Sequence, residues 1–187
     1  AIADKDIFSM DSTSDFDEKQ ILVFDDVKEL FQLEFDVLFV CLPNYLASEL
    51  TILGLSSGVH VFCEKPPGRD LDDIIKVMEV EKTKPLLKLR YGFNHRYHGS
   101  VVEASSIIDS GELGKVLNVI GSYGKSSFFG QKGLDWRIDP KLSGGGILLD
   151  QGIHLVDLMR VFAGEFVEVK SFVQAQFWEY PVEDNAY

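Results

Sequence analysis

Apolar residues in the first half of the chain cluster in short runs closed by proline or glycine, with polar-faced stretches between them. FDVLFVCLP (35–43), VHVFCEKP (59–66) and PLLKLRYGF (85–93) are rich in β-branched and aromatic residues. Such runs read as strands buried on both faces, expected near 36–42, 59–64 and 86–92. AIA (1–3) and QILVF (20–24) read as shorter extended pieces. Between them DDVKELFQ (25–32) reads as a short helix capped by Asp25 or Asp26, and NYLASELTILGLSSG (44–58) as a longer one. RDLDDIIKVMEVEKTK (69–84) places Leu71, Ile74, Ile75 and Met78 at helical spacing behind Asp70 as cap. Strands and helices that alternate through short connections predict a doubly wound parallel sheet.

The pattern changes near Ser100. SVVEASSIIDS (100–110) reads as a helix ending at Gly111, and GKVLNVIGSYGKSS (114–127) as extended. After a glycine-rich loop, residues 148–159 carry a helical pattern in which Asp150, His154 and Asp157 share one face. Alternating apolar residues from Phe166 to Phe177 then predict a long strand over 166–180 with one wet face, as in an antiparallel or mixed sheet. The predicted architecture is α/β: residues 1–95 form a dinucleotide-binding-like domain and residues 96–187 an α+β domain with a large, mainly antiparallel sheet.

Composition narrows the partners. The 187 residues carry a formal charge of −12, which argues against nucleic acid or an anionic membrane as the main partner. No apolar run approaches a membrane span and no signal peptide heads the chain, so a cytoplasmic location is expected. Cys41 and Cys63 lie in strand-like runs without metal-ligand spacing and read as two buried, reduced thiols. The opening AIADKD lacks an initiator Met, and a piece of a longer chain is expected.

Ligands of open α/β sheets bind at the carboxyl ends of the strands. Asp4, the triplet Leu42, Pro43 and Asn44, and the group Glu64, Lys65, Pro66 and Pro67 all follow predicted strands. Asp4 reads either as a solvated loop acid or as the acid that binds an adenosine ribose. Lys65 is either a surface lysine paired with Glu64 or a cation held rigidly by two fixed proline φ angles. Asp150 and His154 by themselves read as a satisfied histidine with a nearby carboxylate. A metal site with Asp157 as third ligand has no supporting His or Cys cluster. The functional reading is a histidine poised to move a proton, with Gly144, Gly145 and Gly146 admitting a ligand close to the backbone.

DVLFVCLPN, VHVFCEKPPGRDLDD, GFNHRYH, GELGKV and LDWRIDPKLSGGGILLDQGIHLVDL together resemble, in order and spacing, the glucose–fructose oxidoreductase/inositol dehydrogenase (Gfo/Idh/MocA) family. The resemblance covers nearly the whole chain. It implies a Rossmann-type sheet and NAD, or NADP, as cofactor. It also implies hydride transfer between nicotinamide and a hydroxyl carbon of a sugar, cyclitol or nucleotide sugar. Lys65 matches a lysine that touches substrate and nicotinamide ribose, His154 the catalytic histidine, and Asp150 the acid that orients substrate. Leu42, Pro43, Asn44, Glu64 and Pro66 match cofactor-contacting positions. Arg96, Trp136 and Arg137 match positions lining the nicotinamide and substrate cleft, and Asp4 the acid that favours NAD over NADP. The family's glycine-rich first turn would precede Ala1, and its second sheet would continue past Tyr187. A homo-oligomer, dimer or tetramer, is expected through the long strand. The rival functions are transient use of NAD for sugar elimination or glycoside cleavage, and a non-catalytic cofactor-bound sensor.

Overall fold

The computed structural model describes residues 1–5, 21–125 and 136–187. The chain divides into two compact units, Ala1–Asp36 and Val37–Tyr187. In the first, β1 (Ile2–Ala3) pairs parallel with β2 (Val23–Phe24), and α1 (Val27–Leu30) follows. Asp26 is its cap, accepting a bond from Lys28 N at 2.9 Å.

The second unit is built on three parallel strands in the order β3 (Val37–Val40), β4 (His60–Cys63), β5 (Leu89–Tyr91). All three predicted strands are present. Two crossover helices join them, α2 (Asn44–Ser56) and α3 (Leu71–Lys82). Because the strands are parallel, their carboxyl ends share one edge, and residues 41–44, 64–67 and 92–96 all gather there.

The packing departs from the expected burial on both faces. Leu38 and Val40 are 7% and 2% exposed, whereas Phe39 between them is 67% exposed. The covered face owes its tight packing to Gly54 of α2. A Cβ there would lie 2.8 Å from Val61 Cγ2 and 2.9 Å from Leu38 Cδ2. On the other face Phe39 and Phe62 lean on each other, ring centroids 5.4 Å apart. Period-two alternation also corrects the thiols. Cys41 continues the Val37 and Phe39 side and is exposed, while Cys63 is buried. Burial pushes the Cys63 thiol up to about 11, and both cysteines are free.

Helix α3 is turned relative to its predicted apolar face. It buries Asp73 and Val77, while Leu71, Ile75 and Met78 are exposed. The cause is local. Asp70 caps the helix through Asp73 N at 2.9 Å, and Asp73 holds the Arg69 guanidinium through bonds of 2.9 and 3.1 Å. A carboxylate bonded on both oxygens can be buried where an unpaired one could not.

Beyond β5, a 3₁₀ turn (Asn94–Tyr97) leads into α4 (Gly99–Ser110), which stops at Gly111 with φ 75°. A second 3₁₀ turn (Trp136–Ile138) precedes α5 (Pro140–Ser143). A π-helical turn (Leu148–Gly152) then runs into α6 (Ile153–Ala163). Two expectations are corrected here. Residues 114–125 of the extended segment belong to no strand, and 126–127 lie outside the described residues. The long strand over 166–180 is confined to β6 (Val173–Gln174), paired antiparallel with β7 (Asn185–Ala186). The Asp184 carboxylate accepts from the backbone N–H of Gln176 at 2.9 Å, Phe177 at 2.8 Å and Trp178 at 2.7 Å. These bonds fold the chain into a turn and take up donors that a longer ladder would need. They also hold the Asp184 carboxyl below its usual range.

Asp70→Ala should lower stability by about 1 kcal/mol, the usual size of a lost N-cap, and Asp70→Ser should restore most of it. Urea unfolding followed by circular dichroism measures both.

Candidate active site

The carboxyl end of β4 is held from both sides. Glu64 N donates to Val40 O at 2.9 Å, and Gly92 N donates to Cys63 O at 2.8 Å. The Glu64 carboxylate lies against Gly92, where a Cβ would come within 2.7 Å of Oε1. Only glycine leaves this space. Lys65 follows, with Pro66 and Pro67 stiffening the chain behind it. Its Nζ donates to the Asp150 carbonyl at 2.8 Å and lies 3.3 Å from Asp150 Oδ1. Lysine and aspartate are 17% and 20% exposed in their side chains, so this ion pair is largely withdrawn from water. Gln151 donates to the other Asp150 oxygen.

His154 sits at the start of α6, 4% exposed. Its ring stacks on His95, centroids 3.9 Å apart and planes 18° from parallel. Phe93 meets it edge-on at 6.4 Å, and Tyr123 meets His95 edge-on at 5.7 Å. His154 Nδ1 is buried and has no hydrogen-bond partner among the described residues. Burial lowers the His154 pKa from 6.5 to about 4, helped by the neighbouring His95 and Lys65 and opposed by Asp150 and Asp157. The imidazole is therefore neutral at pH 7.

The remaining sequence candidates fall in different places. Asn44 stands at the carboxyl edge as the first residue of α2, where its buried side-chain amide donates to Ser143 O at 2.7 Å. Leu42 and Pro43 are half-buried beside it, and no side chain caps this end of the helix. Arg96 grips Asp157 of α6 with bonds of 2.7 and 2.5 Å, so Asp157 is an ion-pair partner. Arg137 lies over the Trp136 ring at 4.5 Å. Asp4 closes β1 in the other compact unit, its N–H bonded to Phe24 O at 3.1 Å.

The glycine triplet serves the chain itself. At Gly144, φ is +83° and a Cβ would meet Arg69 O at 2.1 Å. At Gly146 a Cβ would meet Glu183 O at 2.0 Å. The Glu183 carboxylate accepts from Gly146 N at 2.8 Å and Leu148 N at 3.1 Å, which puts a carboxylate at the N-terminal end of this helix. Gly144 and Gly146 are thus required by close backbone contacts with Arg69 and Glu183.

Two family models match the chain, one described as "Oxidoreductase family, NAD-binding Rossmann fold" over residues 8–93 and one as "GFO/IDH/MocA C-terminal domain" over 101–187. The chain belongs to the Gfo/Idh/MocA family. It joins a Rossmann-fold portion to the family's C-terminal domain. It is similar to levoglucosan dehydrogenase of Pseudarthrobacter phenanthrenivorans, 29% identical over 80% of this chain and 38% of that protein. It is also similar to glucose-6-phosphate 3-dehydrogenase of Bacillus subtilis, 32% identical over 77% of this chain and 41% of that protein. The chain thus spans less than half the length of these curated relatives. A solved levoglucosan dehydrogenase in complex with NADH and levoglucosan superposes with a TM-score of 0.83 at 22% identity, covering 99% of this chain and 52% of that one. That likeness concerns the fold.

Three contributors escaped the sequence. His95 lies inside GFNHRYH, one turn past a strand's carboxyl end, and that position was its only signal. Phe93 and Glu183 gave none, since an edge contact and a bond across 37 residues depend on folding.

The depressed His154 pKa fixes a sign. The unfolded chain binds a proton near pH 6.5 and the folded one near 4, so this histidine's stabilising effect is complete above about pH 6.5. It is lost as pH falls through that window. The Tm of the protein should therefore fall relative to that of His154→Gln from about pH 7 to pH 4.5 by scanning calorimetry.

Proposed function

We propose that this chain carries the catalytic centre of an NAD(P)-dependent dehydrogenase acting on a CH–OH group of a sugar, cyclitol or nucleotide sugar. One observation carries the reading: a rigidly held lysine, an aspartate and a neutral, buried histidine with a free ring nitrogen gather at the carboxyl edge of a Rossmann sheet. The names of the similar proteins, which act on levoglucosan, glucose 6-phosphate and inositol, support it. The residues also fit a dinucleotide. The long helix α2 opens at this edge without a side-chain cap, and the unpartnered His154 Nδ1 is suited to a polar ligand group.

In this proposal Asp4, Leu42, Pro43, Asn44, Glu64, Pro66, Trp136 and Arg137 hold the cofactor, and Asp4 favours NAD over NADP. Arg96 lines the substrate side. When bound, the nicotinamide supplies the hydride acceptor. Asp150 orients the substrate hydroxyl, and Lys65 donates to its oxygen. His154 takes the hydroxyl proton as the hydride leaves the carbinol carbon, so one proton and one hydride depart and a carbonyl remains. Neutrality of His154 keeps it ready to accept across the physiological range, and Asp150 and Asp157 favour the imidazolium that forms. The dinucleotide portion is assigned to residues 1–95 and the substrate portion to 96–187, a division supported by family matches over 8–93 and 101–187. The assembly is assigned as a homo-oligomer, supported by the exposed Phe166, Val167, Val169, Phe172 and Phe177.

His154→Ala should lower kcat by about a hundredfold or more in the full-length protein with little change in NAD affinity. Asp150→Asn should raise KM, and Lys65→Ala should damage kcat and cofactor affinity together. Turnover of a panel of sugars and cyclitols, followed by NADH absorbance, measures these effects, and an unaffected His154→Ala enzyme overturns the assignment. Because kcat/KM reports the free enzyme, its acid limb should fall near pH 4, well below an ordinary histidine's 6.5. Light scattering at micromolar concentration should give a mass above that of one full-length subunit.

A further inference from the structure

His95 has no part in the proton and hydride transfer just described, yet among the described residues it is the ring in closest contact with His154. Two imidazoles stacked 3.9 Å apart and nearly parallel present π face to π face. Stacking face to face leaves the buried His154 Nδ1 unpartnered among the described residues and fixes the plane of the imidazole. Tyr123 braces the outer partner edge-on at 5.7 Å, and the 3₁₀ turn that carries His95 is tied to α6 by the two Arg96–Asp157 bonds. His95 is thus held by two independent contacts and has little freedom to turn away.

We propose that His95 is a positioning residue for His154: its stacked ring fixes the orientation of that imidazole and sets a second ionisable ring face to face with it. The inference rests on the reading of His154 as the acid/base. A positive charge placed face to face with His154 in a site withdrawn from water would repel a second one on that ring. The other charged groups facing His154 come from three places. Lys65, at the end of β4, also opposes its protonation, whereas Asp150 on the π turn and Asp157 on α6 favour it. Asp157 is already engaged by Arg96 and Asp150 by Lys65, so each acid's pull is shared with a cation. Burial is the largest cause of the low His154 proton affinity, and His95 comes first among the neighbouring groups that add to it. Its turn carries no other assigned proton-transfer group.

The two effects separate by substitution. His95→Phe keeps a flat ring over His154 and keeps water out, and removes only the ionisable nitrogens. Nitrogen-15 NMR of the full-length protein, free of cofactor and substrate, reads the His154 titration directly. The midpoint should rise by about one pH unit in His95→Phe, the scale expected of two directly coupled groups. His95→Tyr should give the same rise and serves if the phenylalanine variant does not fold. A midpoint that stays in place or falls in the folded variant overturns the proposal, because cover without charge would then suffice. His95→Ala, which removes the stack as well, should lower kcat at least tenfold with little change in KM, and an unchanged kcat would overturn the orienting role. The titration uses no turnover. A protein inactive on every alcohol tested would refute the dehydrogenase assignment while leaving the His95 result to stand or fall alone.

Discussion

Lys65 reaches across 85 residues of sequence to Asp150, and much of the site depends on that contact. A half-buried ammonium needs compensation, and it finds it in a carbonyl and a carboxylate of the same residue. The bond can form only because both ends are held. On one side, β4 is hydrogen-bonded to β3 and β5 up to its last residue, and Pro66 and Pro67 stiffen the chain just past the lysine. On the other, Asp150 sits in a π-helical turn whose entry is pinned by Glu183. The lysine's charge then acts on His154, which is how a contact between chain segments becomes a property of one ring's proton affinity.

Close backbone approach is the second constraint. Gly144 and Gly146 lie where a single methyl group would overlap the backbone of Arg69 and Glu183, and Gly92 lies where it would overlap the Glu64 carboxylate. These contacts connect β4, the start of α3, the π turn and the last strand to one edge of the sheet. Rigid backbone at a proton-transfer site has a direct consequence, since misplacement of a donor by an ångström lowers rates severely. The π turn adds to this by altering the helical register between Asp150 and His154, so that the two residues meet different partners.

Much of the fold was legible in the chain's pattern. The three central strands, their parallel pairing, both crossover helices and the caps at Asp26 and Asp70 follow from local signals: runs of β-branched residues, proline stops, and carboxylates ahead of helical spacing. The exposed faces were not legible. Phe39 and Cys41 look like core residues in sequence, because hydrophobicity records what a side chain prefers and not whether a neighbour covers it. The stretch from Phe166 to Tyr180 alternates as a strand should, yet three backbone donors are captured by Asp184. A local pattern cannot foresee that competition.

The same division runs through the site. Sequence by itself determined which chemical groups are available: a lysine fixed before two prolines, an aspartate and histidine four apart, and glycines ahead of a helix. Those are properties of covalent order. Tertiary structure decided what each group does. It turned Asp157 from a conceivable ligand into the partner of Arg96 and gave the glycines to Arg69 and Glu183. It also placed His95 face to face with His154 across 59 positions of chain. The physical reason is range. Propensity, capping and periodicity act within a few residues, whereas charge, burial and ring stacking act through space, and only the folded chain brings distant residues within their reach.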